Sequence, residues 1–509
     1  MAHLKLLSPR GVRWLASHPF ATSHFLQQTQ VSPDLRAQKP PLIGTAQQDP
    51  GRRRSIWTDC KPRLSVNPKV SLVDEDLVIE ASGLDAGHPV TIQAEAESAC
   101  GNVRFVSKGC YVSDKEGTIS TSRDPCLRGT YRGVDHMGPI WSMTTVMTPD
   151  VGDPSPSARI KHRDPSRSVT IRFSLLNGHV GHRETRFDVL VDDCEVERRF
   201  MTGNISRMTM KSGPADSTLY VPTDRGSQPL PAILDFRAEE HDEHLPALLA
   251  SHGFVAMTTK FSVANQTGNN DHISVECLEG LYGALASNRM VDRERIGVLG
   301  RGDGVSMALG LAGHFPHLPI RCLAGINGVT FNTRFGWVLP DGSRAEYYPY
   351  YDNVNKRKGV NRRKGVSTPI RLAAQFEPFG VESVLNSKEN IFVPVRDITV
   401  PLLMFAALDN QFLPSQYCMR KLQRQLREAG RENQLELVEY HGAGHLLDPT
   451  NVTHIPESIE YLPGVEGSCT GQRLLWGGRS DRHMHAETDM WKRTLQFYKY
   501  YLSRSNFLA

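Results

Sequence analysis

The chain has 509 residues, 39% of them hydrophobic and 22% charged, with a net charge of +4. That composition fits a folded chain of two or three domains and argues against disorder. The small net charge gives no general case for nucleic acid or a membrane surface as partner, and no apolar run approaches the ~20 residues of a membrane-spanning helix.

The nine cysteines are scattered, odd in number and without a C-x-x-C pair. Neither a zinc site nor a disulfide framework is expected, and a reducing compartment fits best. The first acidic residue is Asp34, while Lys5, Arg10 and Arg13 are interspersed with Leu4, Leu6, Leu7, Val12, Trp14 and Leu15. Residues 1–60 therefore read as a targeting or disordered segment, with a mitochondrial transit peptide preferred. Pro40, Pro41, Pro50 and the Gly51–Arg54 run look like linker.

From Leu64 the pattern becomes short alternating runs, at Leu77–Ala81, Val90–Ala94, Val103–Val106, Val169–Leu175 and Arg186–Val191. Strands at that spacing, with no helical period between them, predict a small β-sandwich over 64–205. After Gly213 buried runs alternate with helical ones. Strands are predicted at Thr218–Pro222, Pro231–Phe236, Phe254–Thr259, Ile296–Gly300, Arg321–Asn327, Pro401–Ala407 and Leu435–Tyr440. Helices are predicted near 245–252, 276–289, 305–312 and 415–429. The alternation predicts an α/β domain with a doubly wound, mostly parallel sheet over 215–509.

Gly300-Arg301-Gly302-Asp303-Gly304 lies between a buried strand and a helix. That is the context of the G-x-S-x-G nucleophile elbow, whose residues two before and two after the nucleophile must be small. Gly300 and Gly304 are the small flankers, so Gly302 takes the nucleophile position. A shifted frame would offer Asp303 as a carboxylate nucleophile, but its flankers become Arg301 and Val305. Ser306 falls on the helix beyond the turn. A plain glycine-rich turn packing strand on helix would give the same residues.

The order nucleophile, acid, histidine then points to two later positions. The strand Pro401–Ala407 ends in Asp409, and His445 lies in a glycine-rich loop after a strand, where an imidazole can act as general base.

With these residues the chain resembles the type I acyl-CoA thioesterases and bile acid-CoA:amino acid N-acyltransferases. Gly129, Gly133, Met137, Gly138 and Trp141 match the family's G-x-x-x-G-x-x-x-M-G-x-x-W segment. Leu248–Phe254 is similar to its helix-to-strand junction, and Tyr440–His445 to its Y-P-G-x-G-H loop. Leu475–Gly478, His485-Ala486 and Trp491-Lys492 resemble its C-terminal signature. The resemblance implies an immunoglobulin-like sandwich followed by an α/β-hydrolase. It also implies an acyl-CoA substrate, with no metal and no cofactor beyond the CoA it carries. In such proteins a Ser or Cys attacks the thioester, and water or an amino acid takes the acyl group.

Carried over, His445 is the base. The acid falls on Asn410 when G-x-[DG]-D is laid on Ala407–Asn410 without a gap, or on Asp409 after a one-residue shift. Gly302 stands where the Ser or Cys belongs. The family's glycine-rich oxyanion loop is replaced by the acidic stretch Arg237–His244, whose charge would repel an oxyanion. The expected activity is therefore acyl-CoA thioester hydrolysis with a missing nucleophile. It would run through an unusual nucleophile or a His445-activated water; the alternatives are an inactive relative that binds an acyl-CoA, a similar ligand or a protein partner, and a structural or regulatory subunit without a small-molecule ligand. The basic run Lys356–Lys364 could meet CoA phosphates or be a solvated loop. His136, His441, His483 and His485 fit no metal motif.

Overall fold

Alternation of apolar and polar residues builds the strands between Arg63 and Arg199 in the computed structural model. It describes residues 61–503 except 100, 102, 147–158, 182–188, 213–214, 225, 227, 238–242, 262–271, 334–335, 349–390 and 461–471. The predicted targeting segment and the Lys356–Lys364 run lie outside the described residues. Strands β1 (Arg63–Asn67), β2 (Val70–Leu72), β3 (Val78–Ser82), β4 (Pro89–Glu97), β5 (Arg104–Val112), β6 (Ile119–Ser120), β7 (Arg128–Gly129), β8 (Thr144–Val146), β9 (Val169–Asn177) and β10 (Leu190–Arg199) form two sheets. One has the order β1-β3-β6; the other has β2-β10-β9-β4-β5-β7, with β8 also on β5. Successive side chains point to opposite faces of a strand. Leu64, Val66, Ile79 and Ala81 from the first sheet therefore meet Val90, Ile92, Ala94, Ile171, Phe173 and Val196 from the second in one core.

The Gly129–Trp141 segment owes its glycines to packing. Gly129 has φ +145°, and a Cβ there would lie 1.9 Å from the Lys108 carbonyl. A Cβ on Gly138, which opens the short helix α1 (Gly138–Trp141), would lie 2.2 Å from the Tyr131 ring. The Trp141 indole donates to Asp135 at 3.0 Å.

The rest is built on β11 (Ile205–Ser212), β12 (Ala215–Pro222), β13 (Leu230–Arg237), β14 (Val255–Phe261), β15 (His272–Ser274), β16 (Val291–Arg301), β17 (Ile320–Ile326), β18 (Gly336–Val338), β19 (Arg344–Ala345), β20 (Leu402–Ala407) and β21 (Leu435–Tyr440). Eight of them make one sheet, ordered β11-β12-β14-β13-β16-β17-β20-β21. Pairing is antiparallel on both sides of β12 and parallel from β14 onward. Among the described residues the helices α2 (His244–Ser251), α3 (Glu276–Ala286), α4 (Gly304–His314), α5 (Ser415–Glu428) and α6 (Ser480–Tyr501) accompany it. Strand β20 is buried along its whole length, as expected for a parallel strand covered on both faces. Chain order reverses between β13 and β16, the kind of switch point at which open α/β sheets place their ligand sites.

The two sheet systems are fastened by buried polar contacts. Asp74, ahead of β3, accepts from His252 at 2.5 Å and from the Trp491 indole at 2.8 Å. Asn451 donates to the Val73 carbonyl at 3.0 Å, and Lys161 pairs with Asp448 at 2.5 Å. Burial pushes the Asp74 carboxyl up, but the His252 contact and the Trp491 hydrogen bond outweigh it and hold it below its ordinary value.

A lowered carboxyl contributes stability above its unfolded pKa of about 3.9, and that contribution is lost as pH falls through the folded value. Removing one partner of a buried pair costs roughly 3 kcal/mol. Asp74→Ala should therefore lose about that much in urea unfolding at pH 7. Its stability should also fall less steeply than the wild type's below about pH 4.

Candidate active site

Strand β16 ends at Arg301, Gly302 turns the chain, and α4 begins at Gly304. Gly302 has φ +55°, in the left-handed region that costs an L-residue roughly 1–2 kcal/mol. Its N–H donates to the Ile326 carbonyl at 2.9 Å, and its own carbonyl accepts from Val305 at 3.2 Å. The flankers are fixed by space. A Cβ on Gly300 would lie 2.6 Å from the Val305 Cα, and one on Gly304 would lie 2.0 Å from the Phe236 carbonyl. Gly302 therefore stands at the apex of the turn. Asp303 has an ordinary helical φ of −62° and is buried. Ser306 lies on α4 with its hydroxyl donated to the Asp303 carbonyl at 2.8 Å. Neither sits at the apex.

The end of β20 separates the two candidates for the acid. Asp409 is held by other partners: its carboxylate accepts from Gln411 at 2.6 Å and from the Gly478 N–H at 2.9 Å. Asn410 is the residue brought to His445, with Nδ2 3.0 Å from Nδ1 of the ring. The orientation of that amide is fixed by its neighbours. Oδ1 accepts the Phe412 and Leu413 N–H groups, each at 2.9 Å, and Nδ2 donates to Ser415 Oγ at 2.9 Å. An amide nitrogen only donates, so Nδ1 of His445 must accept, and the neutral ring carries its proton on Nε2.

The histidine loop is held by backbone hydrogen bonds. The His445 N–H donates to the Trp476 carbonyl at 2.8 Å. Asn327, at the end of β17, donates to the Gly444 and His445 carbonyls at 3.1 and 2.7 Å and accepts the Ala407 N–H at 2.7 Å. His483, on α6, accepts the Gly444 N–H at 2.9 Å and donates to the Leu446 carbonyl at 2.7 Å. Burial pushes the His483 ring down to about 4, which keeps it neutral and able to accept. The His445 ring packs against Phe412 and Trp476, with centroids 4.7 and 5.6 Å away. Asn327 and His483 have no role readable from the sequence. A strand-end Asn and a helical His carry no local signature.

Most of the acidic stretch expected at the oxyanion position, residues 238–242, lies outside the described residues. Glu243 does not fit the expectation. Its carboxylate pairs with Arg207 at 2.8 Å, accepts from Tyr220 and takes the Thr218 hydroxyl at 3.1 Å. Those residues belong to β11 and β12, at the sheet edge away from β16. Burial raises the Glu243 carboxyl, and Tyr220 and Arg207 bring it below its ordinary value. Beside the elbow, Arg301 forms a two-pronged pair with the buried Asp235 at 3.1 and 2.7 Å, and Thr258 adds a third bond at 2.8 Å. Among the described residues no group of three or more His, Cys, Asp or Glu side chains is placed to hold a metal ion.

A sheet with this strand order, a strand–glycine–helix elbow and a histidine loop after the last strand define an α/β-hydrolase. The acyl-CoA thioester hydrolase/BAAT N-terminal region matches residues 74–212, and the BAAT/acyl-CoA thioester hydrolase C-terminal region matches residues 273–504. The chain belongs to this acyl-CoA thioester hydrolase/BAAT family. It is 25% identical over 447 residues to the peroxisomal succinyl-coenzyme A thioesterase of Mus musculus, covering 87% of this chain and 97% of that protein. It is also 25% identical over 450 residues to the mitochondrial acyl-coenzyme A thioesterase 2 of Mus musculus, covering 87% and 90%. A solved structure, the dienelactone hydrolase-like promiscuous phosphotriesterase P91 from metagenomic libraries, is 13% identical with a TM-score of 0.33, covering 58% of this chain and 97% of that one.

The turn makes opposite demands at two neighbouring glycines. Gly302→Ala should cost roughly 1–2 kcal/mol, the conformational penalty of positive φ. Gly304→Ala drives a methyl into the β13 backbone and should cost about 3 kcal/mol or more. Thermal melts of the two variants compare them directly.

Proposed function

We propose that this protein binds an acyl-CoA thioester without turning it over through an acyl-enzyme. The observation that carries the reading is Gly302 at the elbow apex, which offers no atom to attack a thioester or hold an acyl group. Acyl-CoA as ligand class is supported by family membership and by the relatives named as thioesterases. The neighbouring groups point the same way. In a Ser-His-Asp site, Asn in place of the acid fixes the wrong tautomer of the histidine and costs about 10⁴ in kcat. Asn410 stands in that relation to His445. Direct hydrolysis by a His445-activated water is the second reading. It needs an unprotonated Nε2, and Asn410 favours the opposite.

The same proposal takes residues 64–205 as an immunoglobulin-like sandwich and 215–509 as the hydrolase domain. The paired sheets around one core support the former. Among the relatives are peroxisomal and mitochondrial proteins, and the acid-free residues 1–33 favour the mitochondrion.

Purified protein should release no CoA from a panel of saturated acyl-CoAs, palmitoyl-CoA included. The same acyl-CoAs should raise its melting temperature, as a ligand of the folded state does. Turnover abolished by His445→Ala would overturn the proposal. Gly302→Ser alone should remain near background. Gly302→Ser with Asn410→Asp should exceed it about a hundredfold or more, since the carboxylate restores the tautomer a base requires.

A further inference from the structure

Between the hairpin β18–β19 and helix α4 lies a cavity of about 320 Å³ that neither the elbow nor the histidine loop lines. The hairpin register pairs Trp337 with Ala345, and the Leu339 N–H donates to the Ser343 carbonyl. Alternation puts these four side chains on one face of the hairpin, and all four residues line the cavity. His314 lines it from α4, and Phe392 from the segment ahead of β20. His314 closes α4, roughly 15 Å along the helix axis from Gly304, so the cavity is separate from the elbow.

The polar groups of the cavity differ in what they already hold. Asn332 is committed: its Oδ1 accepts the Trp337 indole N–H at 2.9 Å, and its Nδ2 donates to the Glu346 carbonyl at 3.2 Å. The Ser343 hydroxyl donates to Asp341 at 2.6 Å. The His314 ring is half-buried and makes no hydrogen bond or ion pair with any described residue. Its nitrogens are nonetheless accessible. Burial pushes the ring below its ordinary pKa with no neighbouring charge contributing, so at pH 7 it is neutral and offers one donor.

The surroundings select the charge of a ligand. Among the described lining residues none is an Asp or a Glu, whereas Arg344 is one of them. The Lys421 Nζ stands 3.4 Å from the centre of the Phe392 ring. The carboxylates on neighbouring elements have partners of their own: Asp341 takes the Ser343 N–H and hydroxyl, and Glu279 on α3 pairs with His317 at 2.9 Å. Trp337, Leu339 and Phe392 offer apolar walls, which an inorganic anion would leave unused. Ligand pockets run from about 300 to 1,000 Å³, so this one suits a molecule much smaller than an acyl-CoA.

We propose that this cavity is a second binding site, for a small organic carboxylate. One carboxylate oxygen accepts from His314, and the apolar body lies against Trp337 and Phe392. The bound anion draws a proton to the ring, because an opposite charge favours the charged imidazole. Binding therefore tightens as pH falls.

The test is calorimetry on the full chain with octanoate and phenylacetate, using octanol and inorganic phosphate as controls. At least one of the two carboxylates should bind, one per chain and about tenfold or more tighter than either control. The tighter of the two identifies a chain or a ring as the preferred body. Affinity should rise from pH 8 to pH 6. His314→Gln should keep the wild-type melting temperature, weaken binding about tenfold, equivalent to roughly 1.4 kcal/mol, and flatten the pH profile. In NMR of the wild type, the bound carboxylate should shift the His314 ring resonances. Octanol binding as tightly as octanoate would overturn the proposal, as would His314 resonances that stay still or full affinity in His314→Gln. Should that variant melt early, the pH profile and the resonances, both read on the wild type, decide alone. No acyl-CoA enters these samples, so failure here leaves the acyl-CoA reading untouched.

Discussion

Two backbone N–H groups pointing at one amide oxygen decide the chemistry of this site. Phe412 and Leu413, at the approach to α5, donate to Asn410 Oδ1. A carboxylate in that position would accept the same two bonds and still have a lone pair for the histidine. An amide has only one oxygen, and once it is taken the other end must donate. The single atom that separates Asn from Asp therefore propagates through Nδ1 of His445 to the proton on Nε2. Nothing in the surrounding fold has to move for that reversal to occur.

The elbow register was legible in the sequence because it is a steric rule. Only one frame puts glycine at both flankers, and the structure accounts for it with the Val305 backbone beside Gly300 and the Phe236 carbonyl beside Gly304. The alternating sheet order was legible for a similar reason, since buried parallel strands read as apolar runs. The choice between Asp409 and Asn410 was not legible. They are adjacent at the end of β20, and which one meets His445 depends on how each is held: Asp409 by Gly478, far along the chain, and Asn410 by the backbone of Phe412 and Leu413. The expected run Arg186–Val191 begins outside the described residues, and β10 extends well past its end, to Arg199. The first residues of β10, Leu190–Cys194, are only partly buried, so burial imposes no clear alternation there. Glu243 read as a charge near the oxyanion because sequence gives position, not direction. Its pairing with Arg207 across the edge strands is a tertiary fact.

The histidine loop is braced far more completely than a loop without function requires. Gly444, His445 and Leu446 have backbone groups outside the sheet ladder taken by Asn327, His483 and the Trp476 carbonyl. Each of these is a buried polar contact that would cost more broken than it contributes made. Such bracing fixes the ring to within a narrow range of positions, which serves ligand binding as well as catalysis. None of these bonds passes through a side chain at residue 302, so the brace is independent of what stands at the elbow apex.

The substitution at the apex also changes the energetics of the turn. A nucleophile held at positive φ stores strain of roughly 1–2 kcal/mol, supported by the packing around it. Glycine adopts φ +55° without that penalty, so the same packing here supports an unstrained turn. Strained active-site residues are where catalysis trades against stability, and Gly302 resolves that trade in favour of stability. Together with an Asn410 amide that donates to His445, the relaxed turn fits the proposed reading of an acyl-CoA bound without an acyl-enzyme.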